Sequence, residues 1–321
     1  MIEFTNATKL YKTVIGINDL NLNLGPGTYG MLGPNGSGKT TLINLILGQL
    51  RPSIGTVRLF GENPWRKSQL LRRVGLCPAV EMTYPRVSGL EWVTYMVQLH
   101  GFGYTESVQR AKTALDTVKM TYAMDRPMRN YSLGMRQRAK IAQAIAHEPE
   151  LLILDEPFNG LDPVGRFEMS QLLRTWAGQG KSLILASHVL HEVEAINPSF
   201  LLISGGRLLA SGSPQEVRAI LADSPYSPYT LTIRTSDLNH ARRLASLMLQ
   251  KFDIESVEIT PDACIIVSTR SASQVFDRLP TLLLENKISV TEISSQDDSL
   301  QTLFSMLMKI HRGETNRGFS S

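Results

Sequence analysis

A chain of 321 residues exceeds the roughly 250 to 300 at which a single hydrophobic core stops growing, so two domains are expected. Its 42% hydrophobic content suits a globular protein, and no run approaches the about 18 apolar residues of a membrane-spanning helix. A net charge of +4, scattered without a basic run, permits anionic ligands and gives no reason to expect direct nucleic-acid binding.

The start, Met1 to Thr5, alternates like a strand and carries neither a basic nor an apolar signal region, so the chain is expected to stay in the cytosol. Gly30-Met31-Leu32 also reads as a strand. It runs into Gly33-Pro34-Asn35-Gly36-Ser37-Gly38-Lys39-Thr40, which fits GxxxxGK[ST], followed by Thr41 and a helix starting near Lys39 and ending at Gly48. In such a loop the glycines let backbone N–H groups close around a β-phosphate, the lysine reaches the β- and γ-phosphates, and the hydroxyl of Thr40 ligates Mg²⁺. An accidental glycine turn would not sit between a strand and a helix in this way.

Cys77 and Cys264 fall in no metal-type spacing and read as two buried free thiols. Across residues 88–130 helical spacing replaces the strand pattern, at Val93, Met96 and Val97 and again at Val108, Ala111, Leu115 and Val118. Trp92 and Tyr95 in this helical insert are expected to be core residues. A helix is expected from Met135 to His147. Leu151-Leu152-Ile153-Leu154 is then a strand buried on both faces, ending in Asp155-Glu156. Either acid could merely cap the turn at Pro157. Behind a P-loop, Asp155 is expected to hold the Mg²⁺ shell and Glu156 to polarise the water that attacks the γ-phosphate.

Leu183-Ile184-Leu185-Ala186 is a second buried strand, leading through Ser187 to His188, and Phe200 to Leu209 reads as two strands around Gly205-Gly206. Ser213-Pro214-Gln215-Glu216 is an N-terminal helix signal. Two prolines make residues 223–228 the expected linker between a domain at 1–222 and a second at 229–311, with a frayed tail at 312–321. Within the second domain, strands at 229–234, 254–259, 264–268 and 288–293 and helices at 238–249 and 272–284 give a βαββαβ order, with a last helix near 299–310.

Tyr131-Ser132-Leu133-Gly134-Met135-Arg136-Gln137-Arg138, placed between a P-loop and an acidic strand end, resembles the LSGGQ signature of ABC transporter ATP-binding subunits. Ser132 and Gly134 match the commonest form; Tyr131, Leu133 and Met135 depart from it. The variant is similar to those in subunits that pair with separate exporter-type membrane proteins. The resemblance covers about residues 1–218. It implies a P-loop NTPase of ABC ATPase type, an α/β fold with a mixed sheet core and a helical subdomain, followed here by a small α+β ferredoxin-like C-terminal domain.

It further implies that Ser132, Leu133, Gly134 and Met135 contact ATP bound to a second ATPase subunit, in a homo- or heterodimer. Asp162 of Gly160-Leu161-Asp162 would bridge the dimer, His188 would contact the γ-phosphate, and Tyr11 would stack on adenine unless it is only a half-buried strand residue. ATP and Mg²⁺ are the implied cofactors. The implied partner is a transmembrane permease, with this subunit peripheral on the cytoplasmic face of the membrane. Where the family places a Mg²⁺-ligating glutamine, this chain has Ala79; water or Glu81 is left to complete the shell. A soluble ABC ATPase of translation or DNA repair is the rival, disfavoured by the lack of a second cassette or a long coiled coil. A nucleotide sensor without hydrolysis is disfavoured by intact Lys39, Asp155, Glu156 and His188.

Overall fold

The computed structural model describes residues 1–80, 84, 86–196, 199–213, 216–217, 229–269, 271–295 and 307. From the N-terminus, β1 (Ile2–Tyr11), β2 (Val14–Leu24) and β3 (Thr28–Leu32) lead through the glycine-rich loop to α1 (Lys39–Ile46), β4 (Ile54–Leu59), the short α2 (Ser68–Leu71) and β5 (Val74–Cys77). The helical insert supplies α3 (Gly89–Leu99), α4 (Tyr104–Thr117) and two 3-10 turns, Thr121–Ala123 and Met128–Asn130. Then follow α5 (Leu133–Ile145), β6 (Leu151–Asp155), α6 (Pro163–Gly178), β7 (Ser182–Ser187), α7 (Leu190–Glu194), β8 (Ser199–Ser204) and β9 (Arg207–Gly212).

Two sheets make this unit. The six-stranded one has the order β5-β6-β7-β3-β8-β9, parallel except for the antiparallel β8–β9 hairpin. Every residue of β6 and β7 is buried, as the lack of polar alternation demands of strands covered on both faces. The second sheet, β2-β1-β4, is antiparallel; its apolar side chains and those of α1 join one core with β3, β6 and β7. Stacking the strands in parallel gathers the turns after β3, β6 and β7 at one end of the sheet. A site at the carboxyl ends of such strands is where open α/β sheets bind ligands.

In the helical insert Ser88 caps α3: its hydroxyl accepts from Glu91 N at 3.2 Å, and the Glu91 carboxylate accepts from Ser88 N at 2.8 Å. Trp92 is buried as expected. Tyr95 is not: it is 55% exposed, because α3 buries the side that carries Val93 and Val97, and a residue two positions from each points roughly the opposite way.

The chain divides into two compact units, Met1–Ser213 and Pro214–Ser321, so the division falls ahead of the expected residue 222. The proposed linker 223–228, the helix near 299–310 apart from residue 307, and the tail lie outside the described residues; of the helix expected after Ser213, Glu216 and Val217 are described and helical. The second unit contains β10 (Tyr229–Thr235), α8 (Leu238–Lys251), β11 (Ile254–Ile259), β12 (Cys264–Thr269), α9 (Ala272–Glu285) and β13 (Val290–Ser295). Its antiparallel sheet has the order β11-β12-β10-β13. Leu231, Ile233, Ile265 and Val267 on one face pack with Leu244, Met248, Val275 and Leu279 of the helices in a core of their own. The βαββαβ order is the one the periodicity calls for. Both cysteines are free and buried.

Candidate functional site

The loop from Gly33 to Gly38 turns tightly after β3, and glycine is required at two of its positions: Gly36 and Gly38 have φ of +78° and +110°. Gly33 is needed for a different reason. A Cβ there would run into the Ile203 carbonyl and come within 2.5 Å of the Ser37 hydroxyl. The β8–β9 turn supports the loop from behind, with Gly206 N donating to Ser37 O at 2.9 Å. Ser37 Oγ is buried with no hydrogen-bond partner.

Lys39, the first residue of α1, donates from Nζ to Gly33 O at 2.6 Å and Pro34 O at 3.2 Å. Burial pulls its ammonium below the ordinary lysine value, opposed by the negative charges of Glu156 and Asp155. Thr40 Oγ1 donates to Asp155 Oδ2 at 3.1 Å. Burial pushes the Asp155 carboxyl above its usual range, only partly offset by the Thr40 hydrogen bond. A hydroxyl and a carboxylate that meet here are hard oxygen donors, and they fit Mg²⁺, which keeps several waters and takes further oxygens from phosphates.

Glu156 has a left-handed backbone, φ +52°, which directs its side chain across the end of β7. His188 N donates to Glu156 Oε1 at 3.1 Å, and His188 Nδ1 lies 2.9 Å from both Oε1 and Oε2. Tyr11 is 40% exposed, with its ring against Gly16 and its hydroxyl 3.5 Å from Thr41 Oγ1. One cavity of about 360 Å³ is lined by Tyr11, Asn35, Gly36, Gly38, Lys39, Thr40, Thr41, Ala79, Asp155 and Glu156, together with Val14, Ile15 and Gly16. Pro34 contributes its carbonyl to Lys39 from the rim. Glu81 lies outside the described residues.

The signature segment stands elsewhere. Its helix begins two residues before the expected Met135, since Ser132 is the N-cap and its hydroxyl accepts from Met135 N at 3.2 Å. Leu133, Gly134 and Met135 therefore form the first turn, with their N–H groups at the helix start. Leu133 is 47% exposed and covers Gly160, where a Cβ would collide with it. Asp162 caps α6, accepting from Gly165 N at 2.8 Å.

Several contributors were missed at the level of sequence. Gln143 and Lys140 along α5, and His147 just past its end at Ile145, reach the carbonyls of Leu76 (2.7 Å), Pro78 (2.8 Å) and Val74 (3.1 Å), and Gln137 reaches Cys77 Sγ (3.7 Å). Their recurrence every three or four residues on an otherwise apolar face was the available signal. Ser187 touches Glu156, Glu192 accepts from Ser187 and Arg166 pairs with Glu192, without any motif to announce them.

A glycine-rich loop between a buried strand and a helix, facing a paired Asp and Glu at the end of β6, with β7 between the two strands, defines the class: a nucleotide-hydrolysing P-loop protein. Residues 17–159 match the family described as ABC transporter. The bacitracin transport ATP-binding protein BcrA of Bacillus licheniformis is 34% identical over 311 residues, covering 96% of this chain and 97% of BcrA. The daunorubicin/doxorubicin resistance ATP-binding protein DrrA of Streptomyces peucetius is 32% identical, covering 70% and 68%. Among solved structures, the dimeric structure of a bacterial ABC transporter cassette, MJ0796, superposes with a TM-score of 0.62 at 23% identity, over 66% of this chain and 98% of that one. This chain belongs to the ABC transporter ATP-binding subunits: it binds and hydrolyses ATP to energise transport.

Proposed function

We propose that the subunit works as one half of an ATP-sandwich dimer, each nucleotide held between the P-loop of one chain and the Ser132 turn of the other. The observation that carries this is the lining of the cavity: Lys39, Thr40, Asp155 and Glu156 share it, and none of the four signature residues does. A helix start with a serine cap and free N–H groups suits a phosphate supplied by a second copy or a homologous subunit. The MJ0796 cassette is itself described as dimeric, and in another structure as bound to ADP and Pi after hydrolysis.

In this reading Tyr11 stacks on adenine, and the backbone from Gly33 to Gly38 surrounds the β-phosphate. Lys39 exchanges its contacts with Gly33 and Pro34 for phosphate oxygens. Thr40 and Asp155 would hold Mg²⁺, which would supply positive charge to offset that of the phosphates. Glu156 takes a proton from water as its oxygen bonds to the γ-phosphorus and the bond to ADP breaks; His188 moves from Glu156 to the γ-phosphate. Closure is passed to a separate transmembrane permease through the insert, where Tyr95, Leu99 and Tyr104 are 55, 61 and 70% exposed. No helix among the described residues is long and apolar enough to cross a membrane, in keeping with a subunit peripheral on the cytoplasmic face. The bacitracin transport and daunorubicin/doxorubicin resistance roles of BcrA and DrrA support an exporter.

The test is the Glu156→Gln variant with ATP in size-exclusion chromatography. A stable ATP-bound dimer is expected, and a variant that binds ATP yet stays monomeric at all concentrations would sink the sandwich. Affinity purification from native membranes should bring down a permease; recovery with ribosomes or DNA alone would overturn the transport coupling.

A further inference from the structure

We propose that Glu192 is a positioning residue that locks the Ser187–His188 turn to the start of α6, so that the turn carrying Asp162 and the turn facing Glu156 move as one body. The inference rests on the proposed roles of Glu156 and His188. Glu192 lies on α7, and its side chain is only 7% exposed. A buried carboxylate is costly unless its oxygens are paired. Each oxygen has its own partner: Arg166 Nη1 stands 3.4 Å from Oε1, and Ser187 Oγ donates to Oε2 at 2.9 Å.

Both partners belong to the loops beside the reacting groups. Arg166 lies in the first turns of α6, and its Nε donates to Leu161 O at 3.3 Å, so the guanidinium spans the Gly160-Leu161-Asp162 turn and the buried carboxylate. Ser187 ends β7, and its hydroxyl accepts from Val189 N at 3.0 Å, which fixes the turn containing His188. The same hydroxyl is 3.5 Å from Glu156 Oε2. It has one proton to give, and the shorter contact to Glu192 takes it. Glu156 is thereby left to His188, whose N and Nδ1 both contact it.

Removing Glu192 would do two things. The Ser187 proton would turn to Glu156, and Arg166 would be released from the His188 turn while still holding Leu161. Residues around the P-loop are untouched, since neither Glu192 nor Arg166 lines the nucleotide cavity. The expected signature is therefore a loss in kcat without a loss of ATP binding.

The experiment uses the full chain with Glu192→Ala, Glu192→Gln, Arg166→Met, Arg166→Lys and the double variant Arg166→Met/Glu192→Ala. E192A should lower kcat by about tenfold to a hundredfold, the scale of an ångström misplacement of a reacting group, with KM for ATP within about twofold of wild type. E192Q, which still accepts from Ser187, and R166K, which keeps a cation, should each retain more activity than E192A and R166M. The double variant should be no slower than E192A alone; losses that multiply would mean the two residues act separately. Hydrogen exchange should quicken at the Val189 amide in E192A. A folded E192A with wild-type kcat and unchanged exchange would overturn the proposal. If E192A does not fold, E192Q and the two Arg166 variants decide by the same readouts, wild-type kcat and exchange in R166M counting against it. E156Q measured in parallel separates the two readings: wild-type hydrolysis in E156Q removes the base assignment, whereas the exchange data still judge Glu192.

Discussion

His188 Nδ1 lies 2.9 Å from both carboxylate oxygens of Glu156, so the proposed base and the residue proposed to meet the γ-phosphate are paired with each other. Exchange of that contact for a phosphate oxygen would free the carboxylate for water. His188→Ala is expected to reduce ATP hydrolysis by about a hundredfold or more, on the scale of losing a preorganised transition-state donor, with nucleotide affinity unchanged. Single-turnover phosphate release together with fluorescent-nucleotide titration checks both halves; weakened binding would assign His188 to the ground state instead.

Gly33 tolerates no side chain. Because a Cβ would strike the Ile203 carbonyl and crowd Ser37, Gly33→Ala must push the loop away from the β8–β9 turn. Nucleotide affinity should fall by at least about tenfold, as a displaced phosphate cradle loses N–H contacts worth about 1 to 3 kcal/mol each. Isothermal titration with ADP reads this without hydrolysis.

Ala79 lines the cavity and brings no side-chain oxygen to it. Ala79→Gln should therefore lower the Mg²⁺ concentration that gives half-maximal ATPase, read by titrating the metal at fixed ATP. An unchanged midpoint would mean that Thr40, Asp155 and water already complete the shell.

His147 makes stability sensitive to acid. Its ring stacks on His100 at 3.7 Å, and burial, then the neighbouring His100, push its pKa from the ordinary 6.5 down to about 4. As pH falls through that window the unfolded chain takes up a proton that the folded chain refuses, so stability is full above about 6.5 and is lost down to about 4. A shift of this size amounts to roughly 3 kcal/mol at about 1.4 kcal/mol per unit. His147→Gln, which keeps a donor for the Val74 carbonyl, should flatten the decline in Tm between pH 7 and pH 4.5.

The parts of the site legible in sequence are those built from neighbours along the chain. The P-loop, the acids ending β6 and the serine before α5 announce themselves because glycine conformation, strand burial and helix capping are local effects. The second unit's strands and helices were legible for the same reason, each carrying its own period. What stayed hidden depends on residues brought together from distant segments. Arg166 and Glu192 meet although all of β7 separates α6 from α7 along the chain, and the exposure of Tyr95 follows from which side of α3 is covered. The start of α5 at Leu133, two residues ahead of the expected Met135, follows from Ser132, whose hydroxyl caps the helix.

Strand β5 ends the six-stranded sheet, and edges of that kind expose a ladder of acceptors. Here Val74, Leu76 and Pro78, the alternate residues whose carbonyls point away from β6, are already engaged by His147, Gln143 and Lys140. An intruding strand finds these acceptors taken. On that flank two cassettes are steered away from zipping edge to edge, and association is left to the faces that carry the nucleotide loops.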